Sequence, residues 1–353
     1  MKTPLFTGKW GKLHIQGIAV DRAKGYIYYS FTTKLVKARL DGEIVGTVDG
    51  LVGHLGCIAF NERDGRLYGS LEYKQDAIGK HIQTALGTKA EARDGFYVAV
   101  FDVDRIDRPA MSAEADGVMR CVYLREVVED YHGTGKDKNG APVPHRYGCS
   151  GIDGITLAPL PGKSPAEGTY LYVAYGVYAD GEREDNDHQV LLCYDIADWQ
   201  SLALPLDQAE LHQSGPLAPL CKLFVYTGNT TYGVQNLEYD PHQNALFMAV
   251  YRGKKPHFPN FDLFAADLSL PACRAALRGV GEVGDTLPLL RAGECEDGIW
   301  GRRFPYGATG LCALGKGEWL ISHNQTEDGE QCAYIHRYRY DDRLGFLPTD
   351  NEA

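Results

Sequence analysis

This sequence predicts an all-β fold made of five repeated sheets, on three observations. A short apolar strand, a turn and a second strand ending in a small residue recur five times along the chain. A third apolar strand follows every copy, and a fourth follows most of them. The composition agrees, since 41 Gly and 22 Tyr against 4 Met in 353 residues suit many turns joining aromatic strands.

The first copy is His14–Asp21 followed by Gly25–Ser30, and the second is His54–Asn61 followed by Gly65–Ser70. The third joins Gly151–Ala158 to Thr169–Ala174, the fourth Gly233–Asp240 to Asn244–Ala249, the fifth Gly307–Leu314 to Gly317–Ser322. The third strands are Lys34–Leu40, Gly95–Asp102, Gln189–Asp195, Asp262–Asp267 and Ala333–Tyr338. Fourth strands are expected at Glu43–Val48, Met119–Leu124, Leu220–Val225 and Thr286–Leu290. Four short antiparallel strands per unit is the signature of a β-propeller blade. His14 and His54 stand 40 residues apart, which matches the ~40–45 residues of known blades. Later copies are 97, 82 and 74 residues apart, because loops are inserted.

The fifth unit lacks a convincing fourth strand, and Pro4–Trp10 has no unit of its own. The N-terminal segment is therefore expected to close the ring as that strand, which also removes an exposed sheet edge. The expectation is a single β-propeller domain over 1–353, five blades of four antiparallel strands, with inserts at 71–94 and 104–147. Only Asp76–Ala92 and Pro271–Leu277 show the 3.6-residue period of a helix, and both are expected to be short insert helices.

Charge and cysteine usage narrow the function classes. The formal charge is −11, which opposes a nucleic-acid partner, since phosphate backbones need a clustered cationic face. No stretch approaches the ~20 apolar residues of a membrane span, and Met1–Phe6 lacks the apolar region of an export signal. Nine cysteines, an odd number with no CxxC pair, read as reduced buried thiols and point to the cytoplasm.

Repeat geometry says where a site belongs. In a propeller blade the loop from second to third strand lies at the rim where the first strand begins. These loops are Phe31–Thr33, Leu71–Asp94, Tyr175–His188, Val250–Asn260 and His323–Gln331, and they hold the richest polar stretches of the chain. The opposite hairpins are mostly short, such as Asp21–Gly25 and Asn61–Gly65. Long loops on one rim of a rigid scaffold mark that rim for binding.

Aligned first strands begin with His14, His54, Gly151, Gly233 and Gly307, and two positions on they read Gln16, Gly56, Asp153, Gln235 and Thr309. Polar residues at the start of core strands need a reason. Either they line a wet axial channel, or His14, His54, Asp153 and Gln235 bind a divalent metal ion. A second-strand column reads Thr32, Glu72, Gly176, Tyr251 and Asn324, so Glu72 and Asp153 are a candidate acid–base pair across the mouth. The run Arg183–His188, rich in acids, is either a solvated loop or a site for cation binding or substrate contact as a lid. Arg252, Lys254, Lys255 and His257 make a small basic spot suited to a carboxylate or phosphate.

In overall plan the five copies resemble five-bladed propellers such as the arabinanase-type glycosidases and calcium-activated nucleotidases. Those glycosidases place acids near the starts of the first three inner strands. Here the places hold His14, His54 and Asp153, so only one matches. The strand–turn–strand pattern also resembles lactonase-like and streptogramin-lyase-like propellers, which implies axial metals and histidines.

The expected activity is that of a hydrolase or lyase acting on a small, polar, carbohydrate-derived substrate at the mouth. His14 and His54 are expected as general base or metal ligands, with Asp153 and Gln235 as co-ligands. Glu72 or His323 is the expected general acid, and Arg252 the anchor of an anionic group. Tyr73, Tyr178 and Tyr251 are expected to stack on a sugar ring, with Gln16, Arg183, His188, Asn236 and Asn324 as further contacts. The other reading is a non-catalytic propeller that binds a ligand or protein partner through the same rim.

Overall fold

The computed structural model describes residues 3–88 and 93–349. Five sheets succeed one another along the chain as the blades of a five-bladed β-propeller. Blade 1 carries Ile15–Asp21, Tyr26–Phe31, Lys34–Arg39 and Ile44–Asp49 in order from the axis outward. Blade 2 carries His54–Asn61, Arg66–Tyr73, Gly95–Phe101 and Met119–Tyr123, and blade 3 Cys149–Ala158, Tyr170–Val177, His188–Tyr194 and Cys221–Tyr226. Blade 4 is the sheet of Thr230–Asp240, Ala245–Arg252 and Leu263–Asp267. Blade 5 is Leu311–Gly315, Glu318–Glu327 and Glu330–Asp341.

The N-terminal strand Leu5–Phe6 completes blade 5, with Leu5 opposite Ile335 and Phe6 opposite Tyr334. The Thr7 hydroxyl extends the closure by accepting the Ala333 N–H at 2.9 Å. The other chain end contributes as well, because Gly345–Pro348 pairs with Tyr338–Asp341 at the far half of the same strand.

Both faces of each blade are apolar because successive side chains on a strand point to opposite sides. Tyr28 packs toward blade 2 and its neighbour Tyr29 toward blade 5, both fully buried. Five apolar clusters result, each filling the gap between two adjacent blades.

Two expectations about single segments fail. Thr286–Leu290 does not serve blade 4 alone. Val283–Leu287 runs parallel to the outer strand of blade 3, with Leu223 opposite Asp285. The chain then crosses at Pro288, which has no N–H to continue the ladder, and the Leu290 N–H bonds Ala265 of blade 4 at 2.8 Å. Pro271–Leu277 is not helical either, since Cys273–Ala276 is a strand paired with Val283–Leu287. Seven residues are too few to repay helix nucleation, whereas the sheet edge offers ready partners.

The other insert helix forms. Helix α1, Ala77–Leu86, starts at Asp76, whose carboxylate accepts the N–H groups of Ile78 and Gly79 at 3.0 Å. It stops at Gly87, whose φ of 67° places it in the left-handed region. The last part of the expected helix, 89–92, lies outside the described residues. A helix that the period did not flag, α2, covers Arg125–His132 and packs on the start of blade 3.

Candidate functional site

The mouth is built where blades 2 and 3 meet. His54 opens the first strand of blade 2 and lies opposite Glu72 on the second. This register sets His54 Nδ1 3.3 Å from Glu72 Oε1. Two positions on, Lys74 lies on the same side, and its Nζ approaches the same Oε1 at 2.6 Å. Lys74 also donates to the Ser150 carbonyl at 2.7 Å and faces Asp76 at 3.6 Å. The other oxygen, Glu72 Oε2, accepts the Ile152 N–H of blade 3 at 3.0 Å. Glu72 is therefore a buried bracket between two blades, not a free acid. Gly151 permits it, because a Cβ there would sit 2.0 Å from Glu72 Oε2.

Electrostatics follow from this packing. Burial pushes the Glu72 carboxyl up, but Lys74 and His54 together outweigh it and hold its pKa below the usual value. Burial opposes a charge on His54, yet Asp153 and Glu72 prevail and raise its pKa. Lys74 is likewise pushed above its ordinary value, with Glu72 and Asp76 outweighing burial.

Asp153 behaves in the opposite way. Burial lifts its carboxyl to about 7, with the Glu72 charge adding to the rise and His54 resisting it. Its Oδ1 is buried with no hydrogen-bond partner among the described residues. That oxygen hangs over Gly56, where a Cβ would come within 2.2 Å of it. Tyr251 of blade 4 faces the same group: burial first, then the Asp153 charge, raise its phenol to about 12. Gln235 stands beside Asp153, favouring its ionised form, and donates to the Tyr232 carbonyl at 2.9 Å.

His14 adds a neutral imidazole from blade 1. Burial, then the charges of His54 and His81, lower its pKa to about 4. Gln16 Nε2 lies 3.2 Å from His14 Nε2 and 3.0 Å from the Thr32 hydroxyl, so the amide fixes the ring. Helix α1 supplies His81 and covers a narrow cleft lined by His54, Glu72, Lys74, Ile78 and Ile82.

Six expected site residues thus converge on the mouth: His14, Gln16, His54, Glu72, Asp153 and Gln235, with Tyr251 beside them. The others are engaged elsewhere. His323 stacks on Tyr306 at 3.7 Å and meets the Tyr338 hydroxyl at 2.9 Å in blade 5. Arg252 makes a two-pronged pair with Asp262 at 2.6 and 2.7 Å. Arg183 is buried and clamps Asp185 at 2.8 and 2.9 Å. His188 is buried among Phe224 and Tyr226, and burial lowers its pKa to about 4. Tyr73 packs between blades 1 and 2 and reaches Gln208 at 3.1 Å. Tyr178 holds the start of α1 through Asp76 at 2.9 Å. Asn324 is exposed and bonds Gln331 at 3.2 Å. Asn236 is fully buried on the axis and donates to the Gln16 and Ala308 carbonyls at 2.8 and 3.0 Å.

Sequence reading passed over Lys74, because one Lys in the polar stretch Glu72–Asp76 reads as solvated. Its position two residues after Glu72, one residue past the end of the strand Arg66–Tyr73, was the available signal. Lys74 also bears on the metal expectation. Among the described residues no group of three His, Cys, Asp or Glu is arranged to hold an ion. The Lys74 ammonium already neutralises Glu72, so Glu72 is not a free carboxylate beside His14, His54, Asp153 and Gln235. A larger cavity of about 600 Å³ lies away from the mouth, lined by Arg63, Arg66, Arg120 and Trp199. The mouth is the stronger candidate because it gathers His54, Glu72, Lys74 and Asp153 as buried groups acting on one another.

No protein-family model and no curated protein matches this chain. Among solved structures it is similar to a GH43 β-1,3-galactosidase with galactodeoxynojirimycin, at 12% identity over 99% of this chain and 98% of that one, TM-score 0.44. It is similar to a gluconolactonase of Xanthomonas campestris at 12% identity, over 94% of this chain and 87% of that one, TM-score 0.33. The pyranose dehydrogenase PQQ domain of Coprinopsis cinerea gives 12% identity, 90% and 81% coverage and a TM-score of 0.34. Likenesses this distant carry nothing about chemistry.

Proposed function

We propose that the protein is a hydrolase or lyase that uses Asp153 as a general acid–base on a small, polar, sugar-like substrate in the propeller mouth. The observation that carries this reading is the buried Asp153 carboxyl, with Oδ1 unpartnered among the described residues and its pKa lifted by burial to about 7. A group with that pKa is present in both protonation states at neutral pH, which is what proton transfer in both directions requires. Asp153 and the fixed Glu72 together favour the protonated form of His54 beside them. His54 then stabilises negative charge developing on the substrate, and the Gln235 amide and Tyr251 phenol orient hydroxyl groups. His14 stays neutral and can accept a proton.

The nine thiols, all free, fit a reducing compartment, which supports a cytoplasmic protein. No helix among the described residues is long and apolar enough to cross a membrane. The net charge of −11 disfavours a nucleic-acid partner.

The test is turnover of a panel of sugar lactones, aryl glycosides and uronate esters by the wild type and by Asp153→Asn. Turnover lost in the variant while substrate still binds supports the reading. No turnover of any panel member, with ligand binding unaffected by Asp153→Asn, favours the non-catalytic propeller that only binds through this rim.

A further inference from the structure

The sixth position of the repeat reads Ala19, Ala59, Thr156, Glu238 and Cys312 across the five blades. All five residues line one cavity of about 360 Å³ at the end of the axis opposite the mouth. Four are small, so the single carboxyl of blade 4 projects into space that its counterparts leave open. Glu238 Oε1 accepts the Ala313 N–H at 2.8 Å, and Oε2 faces the Thr156 hydroxyl at 3.3 Å. Both donors serve an ionised carboxylate. Yet among the described residues no cationic side chain forms an ion pair with it; Arg22 at the cavity edge acts on it only from a distance and donates to the Ala313 carbonyl at 3.3 Å. A carboxylate with its hydrogen bonds made and its counter-charge missing is a receptor for a cation. The walls include the rings of Phe60 and Tyr239, whose faces attract an ammonium group and repel an anion. Apolar Ile18, Val20 and Leu157 suit the carbon body of an organic ion better than a hydrated metal.

We propose that this axial cavity is a binding site for a small organic ammonium ion, with Glu238 as its counter-charge. The site is separate from the mouth and goes beyond the reading of Asp153. The protein's own fields agree with the geometry: burial raises the Glu238 carboxyl to about 8, so a bound cation displaces a proton to solvent. Arg22, Glu62 and Asp240 are the other charged groups around it. Of the neighbouring neutral titratable groups, burial raises Cys57 and Tyr239 to about 12, and Cys312 well above its ordinary value.

The probe is benzyltrimethylammonium, whose charge does not change with pH, titrated calorimetrically into the full chain. The expected result is saturable binding that strengthens from pH 6 to 9, on the order of tenfold per pH unit below the Glu238 pKa. Binding should release a proton, seen as a heat that differs between buffers of different ionisation enthalpy. Glu238→Gln should weaken binding at least tenfold, and Asp153→Asn should leave it unchanged. The wild-type pH series tests the site even if Glu238→Gln fails to fold. Absence of binding at millimolar probe, affinity independent of pH, unchanged affinity in a folded Glu238→Gln, or displacement by millimolar Mg²⁺ overturns the proposal. Loss of binding in Asp153→Asn assigns the probe to the mouth and overturns it too.

Discussion

Lys74 Nζ lies 2.6 Å from Glu72 Oε1, and both side chains are almost wholly buried between blades 2 and 3. Neither charge is tolerable there alone. Lys74→Met leaves Glu72 without its main counter-charge, and removing one member of a buried pair costs about 3–5 kcal/mol. The expected outcome is a urea midpoint lowered accordingly, with much of the loss recovered in the Lys74→Met/Glu72→Gln double variant. A single variant as stable as wild type would show that the pair is not a bracket.

The Asp153 carboxyl predicts a definite pH dependence of stability. Its folded pKa of about 7 lies above the ordinary 3.8, so between these values the folded state holds a proton that the unfolded chain releases. Stability therefore falls as pH rises from about 4 to 7, by at most ~4 kcal/mol from this group. Asp153→Asn cannot ionise and should flatten that segment of the profile, measured as denaturant midpoints across pH 4–8. A profile unchanged by the substitution would contradict the assignment.

His14 works in the opposite direction. Its folded pKa of about 4 lies below the ordinary 6.5, so the unfolded chain binds the extra proton in that window. Stability is lost as pH falls from 6.5 toward 4. The His14 ring resonances should titrate with a midpoint near 4. A midpoint above 6 would mean the ring is solvated, not held neutral by Gln16.

Gly56 leaves room for Asp153 Oδ1. Gly56→Ala would place a methyl 2.2 Å from Asp153 Oδ1 and 2.5 Å from Ser70 Oγ. Overpacking of this kind costs about 1–3 kcal/mol, and the carboxyl must move aside. Turnover should fall by two orders of magnitude or more, on the order of what general acid–base groups contribute. A variant with full turnover would place the chemistry away from Asp153.

The blades were legible because alternation and short turns repeat along the chain, and closure by Leu5–Phe6 followed from counting strands. The outer edge was less legible. Val283–Leu290 serves two blades because Pro288 interrupts it, and no local pattern says which neighbour each half will join. At the site, Asp153 and Glu72 stood out as acids in columns where a core strand should be apolar. Lys74 did not, since its burial depends on the α1 insert and on the Ser150 carbonyl of another blade. For the run Arg183–His188 the solvated-loop reading does not hold, since Arg183, Asp185 and Asp187 are buried, with Lys255 meeting Asp187 at 2.6 Å. The pairing partner lies 68 residues away, beyond the reach of any local spacing rule.

The most direct measurement is the carbon-13 shift of the Asp153 carboxyl followed from pH 3 to 9, assigned by its loss in Asp153→Asn. The mouth as described predicts a midpoint near 7. A midpoint near the ordinary 3.8 would mean a solvated carboxylate and would contradict the acid–base role.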